Sequence, residues 1–209
     1  MEFSLPSLTL IIDRRLYRAS DTGDAPLSLV EAAIEGGVTL VQLRLSGEGE
    51  DLALDAIAQH LREITAGRVP FLVTSDLTLA ERSRADGVLL AEERSYKPSA
   101  AREYLRATQA LVGCYVDSVA AAARAERGGA DFVQVGPAFD GSEEDSLALV
   151  RKVKDAIHLP VVAFGGVETP AHAAAAAEAG ADGIAVTEAI LQAPDPRAAT
   201  RALREAIER

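Results

Sequence analysis

Short apolar runs alternate along the chain with longer stretches in which Ala, Glu and Arg mix with apolar residues at helical spacing. The apolar runs are Leu8–Asp13, Val38–Arg44, Phe71–Ser75, Gly87–Glu92, Leu111–Val116, Phe132–Pro137, Val161–Gly166 and Gly183–Thr187. Each is short, nearly continuous in hydrophobicity and bounded by Gly, Pro or Asp, which is how a strand buried on both faces reads. The stretches between them predict helices over Pro26–Glu35, Glu50–Thr65, Leu77–Arg84, Ser99–Ala107, Ser118–Arg127, Ser142–Ile157, Ala171–Ala179, Glu188–Gln192 and Arg197–Glu208. In Glu50–Thr65 the residues Leu52, Leu54, Ile57, Leu61 and Ile64 fall near a 3.6-residue period. Gly36-Gly37 stops the first helix, and Ser142 with Asp145 three residues later is a weak capping signature.

Eight strand–helix units in 209 residues leave about 26 residues for each. Continuous apolar strands alternating with amphipathic helices require a parallel sheet covered by helices. The expectation is a minimal single-domain (βα)8 TIM barrel over residues 8–209, with residues 1–7 as an N-terminal tail; an open doubly wound sheet is the competing arrangement. A finer repeat supports the count. Gly37-Val38-Thr39, Ala85-Asp86-Gly87, Ala130-Asp131-Phe132 and Ala181-Asp182-Gly183 introduce the second, fourth, sixth and eighth strands. The reading is a helix stopped by Gly and a turn made by Asp before each of these strands.

Composition narrows the functions. With 21 Lys and Arg against 32 Asp and Glu, the chain carries a net charge of −11 and has no basic run longer than Arg14-Arg15. Nucleic acid and an anionic membrane surface are therefore not expected partners. The absence of Trp, with only four Tyr and five Phe, also argues against a base-stacking platform. One cysteine, Cys114, excludes an internal disulfide and a cysteine zinc site. Residues 1–7 include Glu2 and Pro6 and no basic segment, and no run approaches bilayer length, so a cytoplasmic location is expected.

In a (βα)8 barrel the chemistry lies at the C-terminal strand ends. Those ends present Asp13 and Arg14, Gln42 and Arg44, Thr74, Ser75 and Asp76, then Glu92, Tyr115 and Asp117, Gln134, Gly136 and Asp140, Gly165 and Gly166, and Thr187 and Glu188. Gly165-Gly166 is either a phosphate cradle of backbone N–H groups or a tight turn that needs glycine, and Glu188 weighs against the cradle. Arg44 has two readings, an anion ligand or an ion pair with Asp13 or Glu92. Asp117 is a helix-start carboxylate or a general acid/base. His60, His158 and His172 fall on helices or at the opposite barrel end and receive no role.

The segments Gly37–Arg44, Pro70–Glu92, Gly129–Pro137, Pro160–Val167 and Gly180–Ile190 resemble thiamine phosphate synthase and the related thiazole tautomerase, over Leu8 to about Pro196. The resemblance implies a (βα)8 barrel that joins a pyrimidine pyrophosphate to a thiazole phosphate with Mg²⁺ and releases pyrophosphate. It also implies a phosphorylated small-molecule ligand and a homodimer. Gln42 and Arg44 fit the family motif that holds pyrophosphate, and Gly165-Gly166 fits its phosphate loop. Elsewhere the chain departs. The family's Lys after that Arg is Ser46, its Asn-Asp after the third strand is Thr74-Ser75, and its second magnesium carboxylate falls at Arg94. Its Ser and His on the fifth strand are Tyr115 and Asp117, its Thr/Lys-rich loop is the acidic Asp140–Asp145, and its Ser on the last phosphate loop is Glu188. No metal ligand is therefore assigned.

The resulting expectation is a thiamine phosphate synthase-like protein whose ligand sites are Gln42, Arg44, Thr74, Ser75, Gln134, Gly165, Gly166 and Thr187. The catalytic candidates are Asp117, Tyr115 and Glu92. The alternatives are a non-catalytic barrel that binds a ligand or partner, and a tautomerase-like proton-transfer enzyme.

Overall fold

The structure, a computed structural model, describes residues 3–13, 25–44, 52–91, 97–105, 110–139 and 143–208. Its eight strands are β1 (Ser7–Asp13), β2 (Leu40–Arg44), β3 (Phe71–Thr74), β4 (Gly87–Leu90), β5 (Leu111–Val116), β6 (Phe132–Val135), β7 (Val161–Phe164) and β8 (Gly183–Val186). The helices that follow them in turn are α1 (Ala25–Gly36), α2 (Leu52–Thr65), α3 (Leu77–Arg82), α4 (Pro98–Tyr104), α5 (Val119–Arg127), α6 (Glu143–Ala156) and α7 (Pro170–Glu178). After β8 come α8 (Glu188–Leu191) and α9 (Pro196–Ile207). All neighbouring strands are parallel, and β1 pairs with both β2 and β8, so the sheet closes. This is the (βα)8 barrel, and the open doubly wound alternative is excluded. Among the described residues no helix is long and apolar enough to cross a membrane.

The alternation of a strand sorts its side chains into two cores. Outward residues such as Leu10, Val41, Val73 and Val133 pack under the helices. Inward residues Ile11, Leu40, Leu72, Leu89, Leu111, Phe132, Val162 and Ala185 fill the barrel. The Phe132 ring occupies space that Gly113 leaves, since a Cβ there would lie 2.3 Å from Phe132 Cζ. Phe3 stacks on Phe132 with centroids 4.7 Å apart. The lumen is thus packed with side chains and is not a pore, which confines any ligand to one of its ends.

The N-terminal end is built from one repeated unit. Asp86 N–H donates to Phe71 O at 2.8 Å, and its Oδ2 accepts from Phe71 N–H at 2.9 Å and from Arg62 of α2 at 2.7 Å. Asp131 does the same with Val112 and Arg102 of α4. Asp182 does so with Val161 and Lys154 of α6. In the first quarter Thr39 takes the place of Asp, its Oγ1 accepting from Leu8 N–H at 2.9 Å. The sequence reading gave these aspartates a turn. Their carboxylates instead join the start of one strand to the loop entering the next, and anchor the helix that precedes the first of the two strands through a cation.

Candidate functional site at the C-terminal face of the barrel

At the opposite end the inward residues become polar. Gln42, Thr74 and Gln134, from β2, β3 and β6, are 1%, 8% and 1% exposed. Gln134 Nε2 donates to Gln42 Oε1 at 2.7 Å, and Gln42 Nε2 donates to Thr74 Oγ1 at 2.9 Å. The chain of bonds has one direction. It leaves Gln134 Oε1 as an acceptor and the Thr74 hydroxyl as a donor with no further partner among the described residues. Buried polar groups left in this state favour a ligand that completes them.

Beside this floor stand one ion pair and two aromatic rings. Arg44 donates from Nε and Nη2 to Asp13 Oδ2 at 3.2 and 3.0 Å, across a register in which the two residues are direct neighbours. Asp13 is 6% exposed, so much of the Arg44 charge is spent on a buried carboxylate. The Arg44 guanidinium lies 5.7 Å from the Phe164 ring centroid, and Tyr115 meets the same ring edge-on at 6.0 Å. Tyr115 donates its hydroxyl to Gly136 O at 2.6 Å. Burial, and then the Asp117 charge, push the phenol above its ordinary value, so at neutral pH it is a hydrogen-bond donor. Asp117 is exposed and does not cap α5; the cap is Ser118, whose Oγ accepts from Ala121 N–H at 3.2 Å.

The loops after β7 and β8 carry a different asset. Gly165 and Gly166 have φ of 91° and 73°, and a Cβ on Gly166 would lie 2.2 Å from Phe139 O. Only glycine fits there. Among the described residues nothing accepts a hydrogen bond from the N–H groups of Gly165, Gly166, Val167, Thr187, Glu188 or Ala189. These six donors follow two adjacent strands. Thr187 is 6% exposed, while Glu188 is on the solvent side at the start of α8.

The magnesium position of the resembled family does not fit this chain. Ser75 has φ 58°, and its Oγ accepts from Ala91 N–H at 2.8 Å, tying the end of β3 to the residue after β4. The neighbouring carboxylate, Asp76, caps α3 through Leu79 N–H at 2.8 Å. A hard divalent cation needs carboxylate oxygens that are not committed elsewhere. Among the described residues no cluster of three or more His, Cys, Asp and Glu is placed to hold a metal.

Arg14, Ser46, Glu92, Arg94, Asp140, Glu144 and Asp145 were singled out from sequence, but their side chains lie outside the described residues. The structure thus brings together Gln42, Arg44, Thr74, Tyr115, Gln134, Gly165, Gly166 and Thr187 at one face, with Ser75 and Asp117 at its edge. His172 falls on a helix, as expected, but at this face of the barrel. This residue sits in the first turn of α7, directly after the Gly165-Gly166 loop, and its ring stacks on Phe139 at 4.6 Å. The readable signal was Thr169-Pro170, a cap and first-turn pair that puts position 172 at the start of a helix leaving β7. A cleft of about 600 Å³ opens between α4 and α5, over Leu90, Cys114, Tyr115 and Val116.

Residues 8–190 match the family model described as thiamine monophosphate synthase. The thiamine-phosphate synthase of Natronomonas pharaonis is 41% identical over 196 residues, covering 89% of each chain. That of Bacillus velezensis is 36% identical over 204 residues, covering 91% of this chain and 88% of its own. Among solved structures, thiamine phosphate pyrophosphorylase from Pyrococcus furiosus superposes with a TM-score of 0.80 at 30% identity, covering 97% of this chain and 95% of that one.

Proposed function

The chain belongs to the thiamine monophosphate synthase family, and from that premise we propose that its C-terminal face binds a thiazole phosphate without running the magnesium–pyrophosphate transfer. The observation that carries this reading is the set of six backbone N–H groups on the loops after β7 and β8 that have no partner among the described residues. Backbone donors converging after strand ends take up a phosphate monoester with no cationic side chain. The heteroaromatic ring then lies over the polar floor, against Phe164 and Tyr115, with the Thr74 hydroxyl offered to a ring nitrogen and Gln134 Oε1 to a donor.

Transfer from a pyrophosphate needs more. The leaving group carries extra negative charge that a metal and free cations must neutralise. Here Arg44 is paired with Asp13, and the residues at the first magnesium position are Thr74 and Ser75. A second reading, proton transfer on a bound thiazole with Asp117 as base and Tyr115 as donor, is favoured by the Asp117 charge that helps hold Tyr115 protonated.

Titration with thiazole phosphate, followed by calorimetry, tests the proposal. The expected result is saturable binding, weakened at least tenfold for the dephosphorylated thiazole alcohol (roughly the share of a phosphate held by several charge-assisted bonds). A parallel incubation with the pyrimidine pyrophosphate and Mg²⁺ yields no thiamine phosphate. Turnover to thiamine phosphate, or no thiazole phosphate binding at millimolar concentration, overturns it. Isomerisation of an added thiazole tautomer supports the second reading.

A further inference from the structure

Three consecutive carbonyls, from the last residue of β7 onward, are engaged on one side. Phe164 O accepts from Ala138 N–H at 2.8 Å, and Gly165 O accepts from Phe139 N–H at 3.0 Å. Gly166 O lies 3.1 Å from His172 Nδ1. In a trans peptide the C=O and N–H point in opposite directions. Fixing these three carbonyls therefore fixes the aim of the next three N–H groups, those of Gly165, Gly166 and Val167, toward the other side. Two of the three anchors are backbone groups of the loop after β6. The third is a side chain.

We propose that His172 is the positioning residue of this phosphate cradle, holding the 166–167 peptide so that Val167 N–H is presented to the ligand; this rests on the thiazole phosphate reading above. The ring is well placed for the task. It stacks on Phe139 with an interplanar angle of 19°, and Phe139 belongs to the loop that holds Gly165. Its own backbone N–H is tied to the Thr169 cap at 3.2 Å, so the ring is carried on a fixed first turn of α7. Nδ1 also lies 3.3 Å from Glu168 N–H. The two contacts ask for opposite states, because a proton on Nδ1 donates to Gly166 O and a bare Nδ1 accepts from Glu168. An anion on Val167 N–H polarises the shared peptide, strengthens Gly166 O as an acceptor and so selects the protonated Nδ1.

The test uses His172→Phe, which keeps a ring on Phe139 and removes Nδ1, and His172→Asn, which restores a short amide at the same reach. Two readouts are taken. In ligand-free protein, the Val167 amide resonance is expected to move in His172→Phe and to return toward the wild-type position in His172→Asn. With thiazole phosphate, His172→Phe is expected to bind about tenfold more weakly, the share of one net hydrogen bond, while the dephosphorylated alcohol binds as before. His172→Asn recovers most of that loss. An unmoved Val167 amide in a folded His172→Phe overturns the inference whether or not a ligand binds. Equal weakening for the phosphate and the alcohol, or no recovery in a folded His172→Asn, also overturns it. If the wild type binds no thiazole phosphate, the functional reading falls, and the amide comparison still decides the role of His172.

Discussion

The two ends of the barrel are made by opposite methods. At the N-terminal end one device is used three times: a carboxylate receives a strand-start N–H and a helix cation, as Asp86, Asp131 and Asp182 do. There the N–H groups of Leu8, Phe71, Val112 and Val161 all find a side-chain acceptor. At the C-terminal end no device repeats. An amide relay, an ion pair, an aromatic corner, a glycine loop after β7 and the turn after β8 follow one another, and several donors and acceptors have no partner among the described residues. The regular end fixes the closure of the sheet, while the irregular end forgoes some stabilisation in order to keep groups available. This is the division expected when strand N-termini serve stability and strand C-termini serve ligands.

The largest effect should come from breaking the regular end. Asp86→Ala strands Phe71 N–H and removes the partner of Arg62, where the Asp86 side chain is only 18% exposed. A loss of about 3 kcal/mol is expected from one unsatisfied backbone donor and one broken pair. For a chain of this size that lowers Tm by about 6–12 °C. Thiazole phosphate affinity, measured on the folded variant, should stay within about twofold, since the change lies at the far end of the lumen. A variant that loses affinity at unchanged Tm would erase the proposed division.

The converse experiment replaces the whole relay, with Gln42→Leu, Thr74→Val and Gln134→Leu in one variant. Removing both partners of a buried hydrogen bond by apolar residues of similar shape is close to neutral for stability. Tm should therefore hold or rise, while ligand affinity falls about thirtyfold, or roughly 2 kcal/mol. Lost stability without lost affinity would mean that the relay is structural and that the ligand sits elsewhere.

The difference between the ends also explains what could be read from the chain. The strand runs were legible because burial on both faces leaves a continuous apolar signal; Leu111–Val116 coincides with β5 from first residue to last. The spacing of Asp86, Asp131 and Asp182 was visible as well, but the function of the carboxylate was not. It reaches back 15 residues from Asp86 to Phe71 and 21 from Asp182 to Val161, a contact set by strand register, which no local pattern encodes. At the irregular end only residue positions were legible. Arg44 was open between a ligand and a carboxylate, and the pairing with Asp13 follows from their exact alignment across β1 and β2. Tyr115 offered no sign that its hydroxyl turns to Gly136 O. His172 was missed because a histidine on a helix carries no mark of which loop carbonyl it reaches.

A smaller effect connects the wall between the ends to pH. Cys114, on β5, has its thiol pushed up from an ordinary value of 9.0 to about 11, by burial first and by the Asp131 charge second. Below pH 9 the thiol is protonated in folded and unfolded chains alike, and it adds no pH dependence. Between pH 9 and 11 the unfolded chain releases the proton while the folded one keeps it, so stability falls as pH rises, by roughly 1–2 kcal/mol across the window. Urea midpoints between pH 8.5 and 10.5 should drift down in the wild type. Cys114→Ala should flatten that drift up to about pH 10, above which the raised Tyr115 begins to contribute its own fall.

The smallest effect bears on why the regular end is regular only three times out of four. Thr39 replaces Asp in the first quarter, exchanging neutral hydrogen bonds with Leu8 N–H and Leu8 O. In the other three quarters the cation comes from the helix that precedes the earlier of the two strands, which for β1 in the closed barrel is α9; its Arg204 reaches the Gly37 turn as Lys154 reaches Gly180, but donates to Glu208. An aspartate at position 39 would thus share Arg204 with Glu208, where its three counterparts are met directly by Arg62, Arg102 and Lys154. Thr39→Val should lower stability by only about 0.5–1.5 kcal/mol, the net value of a neutral hydrogen bond, well below Asp86→Ala. Thr39→Asp should bring no gain over the wild type, whereas Thr39→Asp combined with Glu208→Gln should be the more stable of the two, by releasing Arg204 to the new carboxylate. Chemical denaturation of the four proteins decides it: a Thr39→Asp variant no less stable without Glu208→Gln than with it would show that the carboxylate needs no cation of its own, and that the three pairs at this end are incidental to its closure.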